Sequence, residues 1–175
     1  MYHELFAQMY LEGRLDGRTW DFYGGVATHR QIDALETADK QELLEYLTDL
    51  ELYTKMDSPV YGGMILTHTG IDHECVVMSS DGRVDVARSI IRGYENDDFH
   101  FLVGNDIHFL TRESLELLDH YIVTGHVCTF NVNPDGSNKA YVTPYFMDID
   151  CGCGHKDRGG ILCCYCVDTN EFQYI

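Results

Sequence analysis

Apolar positions along the first 55 residues recur at helical spacing. "HELFAQMYLEG" sets Leu5, Met9 and Tyr10 near one stripe and stops at Gly13, which predicts a helix closed by glycine. "GGVATHRQIDALE" opens on a Gly-Gly turn and offers Thr28 as the N-cap of a helix carrying Ile32 and Leu35. "DKQELLEYLTDLELYTKM" places Leu43, Leu44, Leu47, Leu50 and Tyr53 on one helical face, and Pro59 closes the region. From Val60 the period shortens. "VYGGMILTHTG" and "YIVTGHV" are brief apolar runs ending in polar tips, the pattern of buried strands that feed loops, and "ESLELLDHY" between them reads as a helix. "AYVTPYFMDIDCG" and "GILCCYCVDTNEFQYI" read as strands, the last pair turning at Asp168-Thr169-Asn170. The expected fold class is α/β: a single layered domain over residues 1–175, mainly helical over 1–56 and α/β and β over 60–175. Its N-terminal helices are expected to pack on a mixed sheet, with a C-terminal β-hairpin closing the chain.

Charge narrows the partners. Twelve basic against twenty-nine acidic side chains give a formal charge of −17, a surface that repels nucleic acid and attracts basic proteins. No apolar run is long enough for a transmembrane helix. No basic segment followed by an apolar run opens the chain, so the expected compartment is the cytoplasm and no membrane partner is expected. Seven cysteines, five of them in the last 25 residues, make an odd set that argues against a disulfide framework. They read either as buried thiols alternating along strands or as a structural zinc site. In the zinc reading Cys151, Cys153, Cys163 and Cys166 are the donors, with His155 and Cys164 close in sequence.

His68 and His126 share a context. Each follows an apolar strand and neighbours glycine, in "ILTHTGI" and "IVTGHV". A buried strand fixes the backbone while its loop leaves the imidazole accessible, and neutral imidazole is a common nitrogen ligand for transition metals.

The ordered set "YHE" (residues 2–4), "WDFYGGVAT" (20–28), "THTG" (67–70), "TGHV" (124–127), "IDCGC" (149–153) and "GGILCCYCVDT" (159–169) resembles the second half of a calcineurin-like metallophosphoesterase. The likeness is to the serine/threonine protein phosphatase type of bacteria and phages, with its "GNHE", "W…NGG…T", "HAG", "GH" and "IDTGC…GG.L" segments. The resemblance implies that His68 and His126 are ligands of the second ion of a dinuclear centre of manganese, iron or zinc. It also implies that His3 protonates the leaving group and that Glu4 orients His3. Two ions in such a centre activate a water and clamp the phosphate oxygens.

The departures matter as much. The family's "GDxHG" and "GDxxDRG" motifs do not occur, and Tyr2 stands where the asparagine ligand of "GNHE" belongs. Two imidazoles without a carboxylate hold a hard divalent ion weakly. "GNDIH" has Asp106 and His108 in D-x-H spacing and "HKDRGG" carries Asp157, Arg158 and Gly159, but both lie in the wrong order and read more simply as loop and turn. The expectation is a truncated phosphatase-like domain that is not a competent phosphatase alone, with metal content ranging from one divalent ion to none. The alternative is a non-catalytic acidic inhibitor of a basic nucleic-acid-binding effector, of the anti-CRISPR or anti-defence kind, whose carboxylates occupy a groove built for phosphates.

Overall fold

The computed structural model describes residues 2–175, the side chain of Tyr2 excepted. The chain divides into two compact units, Met1–Glu51 and Leu52–Ile175.

The first unit is helical: α1 (Tyr2–Leu11), α2 (Gly17–Phe22), α3 (Val26–Asp33) and α4 (Thr37–Thr48). Gly13, at φ +74°, follows α1 as the spacing predicts. The Asp16 carboxylate caps α2 by accepting from the backbone N–H groups of Arg18 and Thr19 at 2.9 and 3.0 Å. Phe6, Ala7, Trp20, Ile32 and Leu47 form this unit's core.

Two sequence expectations are corrected here. Thr28 is not an N-cap: α3 starts at Val26 with Gly25 in the cap position, so Thr28 lies inside the first turn. The cause is Trp20, whose indole lies so close to Gly25 that a Cβ there would sit 2.1 Å from Cδ1. Helix α4 ends at Thr48, so Leu50 and Tyr53 are not on its face. Tyr53 is claimed by strand pairing with Thr67, which also ends the helical stretch short of residue 56. Pro59 accordingly sits in the turn of a β-hairpin rather than at the end of a helix.

The second unit contains β1 (Tyr53–Ser58), β2 (Gly62–Thr67), α5 (Val86–Asn96), α6 (Arg112–Glu116), β3 (Tyr121–Thr124), β4 (Tyr141–Val142), β5 (Phe146–Asp148), β6 (Cys163–Cys166) and β7 (Glu171–Tyr174). Strands β1 to β5 make one mixed sheet in the order β1-β2-β3-β5-β4, and β6 and β7 make the C-terminal hairpin. The fold class is therefore mixed α/β with a closing hairpin, as the periodicity indicates. Neighbours β2, β3 and β5 run parallel, while β1 and β4 are antiparallel at the edges.

Parallel neighbours need crossover connections, and α5 lies in the one from β2 to β3. This helix was not foreseen. "VARSIIRGYEN" buries Val86, Ala87, Ser89, Ile90 and Gly93, and Asp85 caps it by accepting from the Arg88 N–H. Strands β3 and β5 are buried along their length, as strands covered on both faces must be, and β2 is buried at Met64 and Ile65. Asn170, at φ +56°, turns the β6–β7 hairpin where the sequence places a turn. Among the described residues no helix is long and apolar enough to cross a membrane.

Ile122, fully buried and paired with strands on both sides, tests this account. Ile122→Ala should lower the stability of the sheet unit by about 2–5 kcal/mol, measured by urea denaturation followed by far-UV circular dichroism.

Candidate functional site at the strand ends

Strands β2, β3 and β5 run parallel, so their carboxyl ends lie side by side, which is where open α/β sheets bind ligands. His68 follows β2, Gly125-His126 follows β3, and Asp148 ends β5. Short hydrogen bonds join the first two loops. The Thr124 hydroxyl donates to the His68 carbonyl at 2.6 Å, and the Gly125 N–H donates to the same oxygen at 3.0 Å.

The half-buried His68 and His126 rings meet edge to face, with centroids 4.8 Å apart. His126 Nε2 donates to the Val103 carbonyl at 2.9 Å, which in the neutral ring leaves Nδ1 as the lone-pair nitrogen. Metal-ligating histidines characteristically make this second hydrogen bond, because it fixes both tautomer and ring orientation. Val103 belongs to a π-helical turn, His100–Gly104. That turn is secured by the Thr69 hydroxyl donating to the Phe101 carbonyl at 2.8 Å, and by Asn105 Nδ2 donating to the Thr69 carbonyl at 3.2 Å. His126 itself has φ +80°, in the left-handed region that non-glycine residues seldom occupy.

The other sequence candidates belong to other elements. His3 and Glu4 are exposed on α1, in the helical unit, where the Trp20 indole N–H donates to His3 Nδ1 at 3.4 Å. The Tyr2 side chain, expected at the asparagine-ligand position, lies outside the described residues. Asp157 and Arg158 form an exposed turn ending at Gly159, whose φ is +70°. Of the zinc candidates, Cys151 is buried, Cys163 half-buried, and Cys153 and Cys166 exposed. Strand alternation puts Cys163 and Cys166 on opposite faces of β6, so the four do not converge. Among the described residues no three His, Cys, Asp or Glu side chains are grouped to hold a metal ion.

A second polar cluster forms at the end of β5. Asp148 is fully buried; its Oδ1 accepts from the Asp150 N–H at 2.9 Å, and its Oδ2 faces His108 Nε2 at 3.9 Å. Neither of those two facing atoms has a hydrogen-bond partner. His108 Nδ1 in turn pairs with Asp106 Oδ1 at 2.6 Å. The D-x-H spacing of "GNDIH" thus turns Asp106 onto the ring of its own histidine. Burial pushes the Asp148 carboxyl up to about 8, assisted by the neighbouring charges of Asp150 and Asp106 and opposed by the hydrogen bond from the Asp150 backbone. Sequence reasoning missed Asp148. The available signal was an ionisable residue ending the apolar run "YFMD".

No family model, curated protein or solved structure matches the chain.

The buried Asp148 carboxyl gives stability a definite pH dependence. Its folded value near 8 exceeds the ordinary 3.8, so between those values the folded state holds a proton that the unfolded state has released. Its contribution is full below pH 4 and falls away as pH rises towards 8. Asp148→Asn should therefore remove a downward slope of stability between pH 4 and 8 and gain most over the parent at the alkaline end, measured by urea unfolding at steps across that range. Parallel curves for parent and variant would refute the assignment.

Proposed function

We propose that the chain is a metallophosphoesterase-like module of the serine/threonine protein phosphatase type, which presents two histidines of a divalent-metal, phosphate-binding centre and does not turn over alone. One observation carries the reading. His68 and His126, from the ends of adjacent parallel strands, meet with ring centroids 4.8 Å apart, and the Val103 carbonyl holds His126 in one tautomer. Two neutral imidazoles suit manganese, iron or zinc, but they fill only part of a coordination sphere, and further donors have to come from elsewhere, such as another chain. His68 and His126 would hold such an ion, which when bound would supply Lewis-acid polarisation of a phosphoryl oxygen. The chain's own residues bind and orient: Thr124 fixes the His68 backbone, and Val103 sets the His126 ring. The site of action in this reading is the cytoplasm.

Manganese binding followed by electron paramagnetic resonance tests the site. Weak binding to the parent should fall by about tenfold or more in His126→Ala. Equal binding by the parent and a His68→Ala/His126→Ala double variant would overturn the assignment. The parent alone should not hydrolyse an aryl phosphate with manganese added. Manganese-dependent hydrolysis lost in His126→Ala would overturn the inactivity while supporting the family.

The excess of 29 acidic over 12 basic side chains favours a second reading, a non-catalytic inhibitor of a basic nucleic-acid-binding protein. In that case binding to a basic nuclease, measured by calorimetry, should weaken steeply with added salt and survive His68→Ala/His126→Ala unchanged.

A further inference from the structure

Two hydrogen-bond acceptors face each other at the end of β5. Asp106 fixes which His108 nitrogen carries the proton: its Oδ1 accepts the His108 backbone N–H at 2.9 Å and the ring Nδ1–H at 2.6 Å. In the neutral ring Nε2 is then left with its lone pair. That Nε2 lies 3.9 Å from Oδ2 of the fully buried Asp148, and neither atom has a hydrogen-bond partner. The rings of Tyr141 and Phe146 stand against His108 with centroids 5.2 and 5.3 Å away, so aromatic surface walls the pair. Acceptor against acceptor in such surroundings is unfavourable unless a cation lies between them.

The separation decides which cation. A proton shared between the two atoms would draw them to about 2.7–3.2 Å. Zinc binds imidazole nitrogen at about 2.0–2.1 Å and carboxylate oxygen at about 2.0–2.2 Å. Two such bonds to one ion set the donors about 3.4 Å apart at a tetrahedral angle and about 4.2 Å apart when opposite. The 3.9 Å between Nε2 and Oδ2 falls inside that range. The geometry points to His108 Nε2 and Asp148 Oδ2 as two ligands of a divalent transition-metal ion of the zinc class. Asp106 is the positioning residue, since its bond to Nδ1 sets the tautomer and raises the basicity of Nε2, as carboxylates behind metal-ligating histidines do. The carboxylates of Asp106 and Asp148 together match the charge of a dication. On binding, the ion takes the place of the proton that otherwise neutralises the buried Asp148 carboxyl, and that proton leaves to solvent. Two protein donors face this position, so water completes the coordination sphere. The His108 side chain, 13% exposed, gives the edge by which an ion enters. Once held, the ion clamps the 3-10 turn Ile107–Phe109 to the end of β5. This site shares no residue with the His68–His126 pair and does not depend on the function proposed for that pair.

Cobalt(II), the spectroscopic stand-in for zinc, tests the site on the intact chain freed of metal by a chelator. In a His68→Ala/His126→Ala background, which removes the other pair, the chain should still take up an ion with the visible spectrum of nitrogen and oxygen ligation. Asp148→Asn, nearly isosteric and uncharged, and His108→Gln should each abolish that uptake. Asp106→Asn should weaken it about 10–100-fold without abolishing it. Nitrogen NMR of the parent needs no variant to fold: the His108 Nε2 resonance should shift when zinc is added. No uptake in the double-variant background, uptake that survives Asp148→Asn, a spectrum of thiolate ligation alone, or a His108 Nε2 resonance unmoved by zinc would each overturn the proposal.

Discussion

The His68 carbonyl oxygen joins the loops at the strand ends. It accepts from the Thr124 hydroxyl and from the Gly125 N–H, so the chain leaving β2 and the chain leaving β3 are stitched at one atom. Strand pairing alone does not do this, since the β2–β3 ladder registers Met64 to Leu66 against Tyr121 to Val123 and stops before the loops begin. Beyond that ladder the Thr124 hydroxyl and the single Gly125 N–H take over the task. The two histidines then project from a common frame and not from two independent loops. The π-helical turn completes the frame from a third direction, with Val103 reaching the His126 ring while Thr69 and Asn105 hold the turn in place.

Next to that frame stands a polar cluster of different character. Asp148 ends a strand with no accessible residue, and it carries a carboxyl group where the neighbouring positions carry Phe146 and Met147. Burying a charge without a close counter-charge is costly, and the group responds by holding its proton. His108 cannot relieve it by hydrogen bonding at 3.9 Å, because its other nitrogen is drawn to Asp106. The strand ends therefore combine two arrangements: a histidine pair oriented by backbone carbonyl and hydroxyl groups, and a carboxyl–imidazole pair left without mutual contact.

Much of this was legible in the residues. Apolar runs such as "MILT" and "YIVT" marked the buried strands because both faces of a parallel sheet are covered, which produces continuous rather than alternating hydrophobicity. His68 and His126 stood out because each closes such a run beside glycine. What escaped was non-local. Thr28 looked like a cap because threonine favours that role, and the indole of Trp20 against Gly25 overrode it. Tyr53 fitted a helical face until pairing with Thr67 drew it into a strand. Asp106 and His108 were visible as a spacing, but their partner Asp148 lies 40 residues on and meets them only through the sheet. The zinc pattern foundered on parity: an odd separation along a strand sends Cys163 and Cys166 to opposite faces.

The borders of the sheet carry one more consequence. Its three central strands are parallel, with β3 and β5 buried throughout, yet it ends on one side in β4, two residues long, and on the other in β1, where Lys55 and Asp57 are exposed. A short border strand and a charged one both discourage a foreign strand from extending the ladder. Recognition by backbone addition is thus poorly served in this molecule, and a protein that docks on the sheet unit has to be held through side chains and loops.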